Sequence, residues 1–177
     1  MATRVSAKPQ IQYEMSNVSD LVSTAVKGAA ARQGKTFEDW RQEMQSGDCQ
    51  ACGDVRYPLA QGLAKYLGAL DTSVKAVYVY EPEYTTAFDD VEASGGAGKG
   101  INLIVWATRK SAALTALVAS VGEELGKHTQ PLSCPQANAL CWSLDVQIVD
   151  DDQVEKRSGY GALIDSIYVR PMELWRR

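Results

Sequence analysis

Residues 74 to 108 read VKAVYVYEPEYTTAFDDVEASGGAGKGINLIVWAT, two strand-like runs joined by a long polar loop that ends in glycines. Val74, Ala76, Tyr78 and Tyr80 alternate with Lys75, Val77 and Val79, the period of two expected of a strand rich in β-branched and aromatic residues. Ile101 to Ala107 (INLIVWA) is almost unbroken apolar sequence and suits a central strand covered on both faces. A third run, Trp142 to Val149 (WSLDVQIV), puts Trp142, Leu144, Val146 and Ile148 on one face and Ser143, Asp145 and Gln147 on the other. The three runs are expected to share one sheet, with 101–107 between 74–80 and 142–149.

Helical patterns surround these strands. Asn17 followed by Asp20 resembles an N-cap pair, after which Val18, Leu21, Val22, Ala25 and Ala29 share a helical face, with Gly34 as the stop. Thr36 opens a second helix carrying Phe37, Trp40 and Met44, closed by Gly47. A third apolar stripe, Leu59, Leu63, Tyr66, Leu67 and Leu70, belongs to a helix expected to start close to Asp54 or Val55, because Pro58 is tolerated only near a first turn. Leu114, Leu117, Val118, Val121 and Leu125 mark a fourth, ending at Gly126. Past Asp150-Asp151-Asp152, the stretch GYGALIDSIYVRPMELWRR reads as a short helix and then an extended segment that Pro171 confines to a sheet edge.

The expected fold is therefore α/β or α+β: a small mixed sheet of three to five strands with helices packed mainly on one side. Residues 1–50 form an N-terminal tail and helical extension, and residues 51–177 the α/β domain, a single structural unit. The 177 residues suffice for a sizeable core. A formal net charge of −4 argues against a broad nucleic-acid surface. The N-terminus lacks the apolar core of a secretory signal and no run is long enough for a membrane span, so the expected compartment is the cytoplasm.

Ser94 to Gly100 (SGGAGKG) invites a phosphate-loop reading and fails it. Ala93 stands where the first glycine is needed, Gly100 where Ser or Thr is needed, and the run enters a strand rather than a helix. Glycines chosen for positive φ explain it, with a loop whose backbone amides and Lys99 contact a phosphate as the functional alternative.

The order of the strands and helices over residues 55 to 150 resembles the minimal nucleotidyltransferase domain of the DNA polymerase beta-like superfamily. In that family a Gly-Ser ends the first strand, an Asp-x-Asp opens the second, and a third strand carries another acid. Three carboxylates there hold two magnesium ions for in-line phosphoryl transfer. On this chain the Gly-Ser position falls at Glu81-Pro82, the Asp-x-Asp at Gly100-Ile101-Asn102 and the third acid at Asp145, so only the third is present. The resemblance implies a catalytically degenerate domain that binds a protein partner or a nucleotide, with Lys99, Gly98, Asn102 and Asp90 as candidate ligand contacts and Asp145 as the remaining catalytic-type residue. The competing reading is an active metal-dependent transferase in which Asp90 and Glu92 act as displaced carboxylates beside Asp145.

Cys49 and Cys52 have the spacing of half a zinc knuckle and are placed in a tight connection between two helices. Cys134 and Cys141 would have to complete the site, an awkward pair for a second knuckle. A redox pair at 49 and 52, ordinary thiols, and a zinc-stabilised interaction protein are the alternatives; the expectation is no bound cofactor, with magnesium or zinc as the exceptions to test. His128, the single histidine, sits beside Lys127 at a helix end and reads as a capping or solvent-exposed group. Tyr78, Tyr80, Tyr84, Phe88 and Trp106 lie on or beside the sheet, where core packing accounts for them and base stacking is the alternative.

Overall fold

The computed structural model describes residues 17–46, 49–81, 100–132 and 143–177. The elements run α1 (Val18–Arg32), α2 (Phe37–Ser46), α3 (Cys49–Leu70), β1 (Val74–Val79), β2 (Ile101–Ala107), α4 (Ala112–Thr129) with a 3-10 turn at Gln130–Leu132, β3 (Leu144–Val149), α5 (Asp151–Glu155), α6 (Gly161–Ile164) and β4 (Met172–Arg176). The sheet order is β3-β2-β1-β4, so the apolar strand β2 lies between β1 and β3. β1 pairs antiparallel with β2 and with β4, and β2 pairs parallel with β3. β4 follows Pro171 and is an edge strand.

The sheet has two unequal sides. Ile101, Leu103, Val105 and Ala107 of β2 join Leu144, Val146 and Ile148 of β3 in the main core, with the apolar stripes of α1, α2, α3 and α4. The opposite face carries Ala76, Tyr78, Tyr80, Ile104 and Val149, covered by Val154 of α5 and by Leu163 and Ile164 of α6. Trp40 and Met44 of α2 are fully buried in the main core, while Phe37, expected on the same stripe, is 40% exposed at the first position of the helix. Among the described residues no helix is long and apolar enough to cross a membrane.

Local chemistry explains the helix starts. Asn17 Oδ1 accepts the Asp20 amide at 2.9 Å, and Gly34 follows α1 with φ of 67°. Thr36 and Asp39 cap α2 reciprocally: Thr36 Oγ1 accepts the Asp39 amide, and Asp39 Oδ2 accepts from the Thr36 amide and hydroxyl. Ser111 Oγ accepts the Leu114 amide at the head of α4. The acidic run after β3 opens α5, because Asp150 Oδ1 accepts the Gln153 amide. The last two caps were not anticipated from the sequence.

Four expectations need correction. Helix α3 begins at Cys49, so Pro58 lies inside it and Cys49 and Cys52 belong to the helix rather than to a connection. Proline at position 58 has no amide to bond the Asp54 carbonyl; the Arg32 guanidinium of α1 donates to that carbonyl instead, at 3.0 Å. The cost of an interior proline, about 3 kcal/mol, is offset by full burial of Leu59, Leu63 and Leu67. Helix α4 passes through Gly126 to Thr129, whose hydroxyl bonds the Leu125 carbonyl at 2.8 Å. His128 therefore lies in the last helical turn, 3.6 Å from Glu124. Finally, strict alternation in β1 fails at its start, where the register shifts between Val74 and Ala76. That bulge sends Val74 into the main core with Val77 and carries Lys75 to the other face, over the Trp106 ring and onto Asp151 at 2.7 Å.

Candidate functional site

The polar residues of the smaller sheet face gather where β1 ends and β2 and β3 begin. Asn102 and Asp145 are direct partners across the parallel β2–β3 pair, so their side chains leave the same face. Tyr80 continues β1 opposite Asn102, its amide bonded to the Asn102 carbonyl at 3.1 Å. Its phenol donates to Asp145 Oδ2 at 3.3 Å. Because β2 separates β1 from β3, this bond makes the Tyr80 side chain cross the central strand at the level of Asn102. That crossing accounts for the burial of Asn102, which is 6% exposed although polar.

The consequences for each group differ. Asp145 is exposed and also accepts from Gln147 Nε2 at 3.3 Å, so its carboxylate retains acceptor capacity toward solvent. Asn102 Nδ2 has no hydrogen-bond partner among the described residues, an uncompensated donor that costs about 1–3 kcal/mol. Tyr80 also meets Tyr160, ring centroids 5.5 Å apart and tilted by 58°. Burial, helped by the negative charge of Asp145, pushes the Tyr80 phenol above its ordinary value.

Linkage then gives a pH dependence. A phenol held protonated in the folded chain contributes stability below the unfolded value near 10, and this contribution declines as pH rises above it. We expect the urea midpoint of the wild type to fall more steeply between about pH 9 and 11 than that of Tyr80→Phe. Equal slopes would show that Tyr80 ionises as a free tyrosine does.

Gly100 is buried, and a Cβ there would lie 2.6 Å from Ser143 Oγ and 2.9 Å from the Ser143 carbonyl oxygen. That carbonyl is tied into the sheet by the Ile101 amide at 2.7 Å, so it cannot move aside cheaply. Glycine stands there for space, and no side chain fits. Glu81 directly follows Tyr80 and both its oxygens accept from Arg56 Nη2, at 3.0 and 2.9 Å, which balances its charge. A cavity of 410 Å³ lies beside Tyr80, walled by Val79, Glu81, Leu163, Arg170 and Met172.

Lys99, Gly98, Asp90 and Glu92 lie outside the described residues, as do Tyr84, Phe88, Trp142, Cys134 and Cys141. Asn102 and Asp145 are brought together, whereas Tyr80, Tyr160 and Gln147 were not singled out from the sequence as members of this cluster. The period-two pattern did put Tyr80 on the sheet; its reach to Asp145 depends on strand order. Among the described residues no three His, Cys, Asp or Glu side chains group to hold a metal ion. No protein-family model, curated protein or solved structure matches this chain.

Proposed function

We propose that this chain is a catalytically degenerate nucleotidyltransferase-like domain acting in the cytoplasm as a binding or regulatory module for a protein partner or a nucleotide. The observation that carries the reading is the state of the three acid positions. Gly100 has no room for a side chain, Asn102 is a buried amide under Tyr80, and only Asp145 presents a carboxylate. One carboxylate is too little charge for a two-ion clamp on a phosphoryl group. What the cluster presents to solvent is the Asp145 carboxylate, a hydrogen-bond acceptor, which suits recognition rather than transfer.

The test is to incubate the protein with labelled nucleoside triphosphates and magnesium. We expect no labelled product. Product formed by the wild type and lost in Asp145→Asn would overturn the reading in favour of an active transferase using displaced carboxylates, Asp90 and Glu92 with Asp145. Adding nucleotide without turnover while following the Asn102 side-chain amide resonances tests the nucleotide. A saturable shift assigns it, and unchanged resonances count against it.

A further inference from the structure

A second cavity lies between α1 and α3. It has a volume of 610 Å³ and is bordered by Ser23, Thr24, Lys27 and Arg32 on α1 and by Gln61 and Lys65 on α3. Three cations thus meet one groove in a chain whose net charge is −4. Asp20 is the single carboxylate among the described lining residues. Lys35, Lys75, Lys127 and Lys156 each pair with a carboxylate, whereas Lys27 and Lys65 have no ion-pair partner among the described residues.

The backbone prepares the third cation. Arg32 Nη2 is held at 3.0 Å by the Asp54 carbonyl, the acceptor that Pro58 leaves without its helical amide. The neighbouring Asp54 carboxylate is engaged by the Gln33 side chain. At Gly62 a Cβ would come within 3.2 Å of Leu21, so glycine lets the two helices approach and form the floor. Pro58, a residue that weakens helices, thereby serves the position of one guanidinium. A fixed guanidinium fork flanked by two unpaired ammonium groups, two hydroxyls and an amide is the donor set that recognises phosphate oxygens. The cavity volume is in the range that takes a small organic molecule.

We propose that the α1–α3 groove binds a small molecule bearing a phosphate or diphosphate group. Arg32 takes the phosphate by its free nitrogen, Lys27 and Lys65 supply charge from the two walls, and Ser23, Thr24 and Gln61 provide neutral hydrogen bonds. This site is independent of the sheet-face reading. The experiment is calorimetric titration of the full chain with inorganic pyrophosphate over a series of salt concentrations. Saturable binding that weakens with salt is expected, and weakens at least about tenfold in the Lys27→Gln/Lys65→Gln double variant and in Arg32→Lys. Both variants keep the helices, since the first changes exposed side chains and the second retains a donor for the Asp54 carbonyl. Asp145→Asn should bind pyrophosphate as the wild type does. Absence of saturable binding, affinity unaffected by the groove variants, or loss of binding in Asp145→Asn would each overturn the proposal.

Discussion

Gly100→Asp is expected to lower stability by about 3 kcal/mol or more and, on the proposed reading of Gly100 as the first position of a lost Asp-x-Asp pair, to yield no magnesium-dependent transfer. The Cβ alone would meet Ser143 Oγ at 2.6 Å and its carbonyl oxygen at 2.9 Å, and the Ser143 carbonyl is committed to the Ile101 amide. The carboxylate would then have to leave a buried position or remain there without a paired cation. Urea denaturation measures the loss, with Gly100→Ala separating the steric part from the charge. Wild-type midpoints in both variants would mean that Ser143 yields easily, and the steric argument for degeneracy would fail. Asn102→Asp is the contrasting change, because it keeps the side-chain volume and adds a second carboxylate beside Asp145.

The second large effect concerns the N-terminal helices. Trp40→Ala is expected to cost about 3–5 kcal/mol, because the largest fully buried side chain among the described residues would be lost from α2, which packs on α1 and α3. Trp40→Phe should cost less, about 1–2 kcal/mol, since Trp40 Nε1 has no hydrogen-bond partner among the described residues and its removal forfeits none. The side chains of α1 and α2 share one core with β2, so loss of Trp40 should weaken the sheet and the helices together. Native-state hydrogen exchange distinguishes this from a detachable extension. Equal loss of protection at α1 and at Leu103 and Val105 of β2 is expected; full protection retained in β2 while α1 opens would support residues 1–50 as a separable extension.

The strands were legible because their signals are local. Alternation over Ala76 to Tyr80, the apolar run of β2 and the one-sided polarity of β3 each state how many faces are covered, and the degree of cover decides which strand is central. The same holds for the cap that Asn17 makes with Asp20, three residues on. Pro58 misled because its missing bond is made good by Arg32, a residue of a different helix. Gly126 misled because a single glycine costs only about 1 kcal/mol in a helix, less than burying Leu132 beyond it returns.

The sequence by itself determined a mixed sheet with helices mainly on one face and the central place of Ile101–Ala107. Periodicity and composition are properties of neighbouring residues, so a chain carries them openly. Only the tertiary structure decided that Tyr80 crosses Asn102 to reach Asp145, that Ser143 closes the space at Gly100, that the bulge at the start of β1 turns Lys75 toward Asp151, and that Arg32 serves a carbonyl freed by Pro58. Each of those is a contact between segments far apart in the chain, set by strand order and helix approach at the scale of an ångström, and no local pattern encodes it.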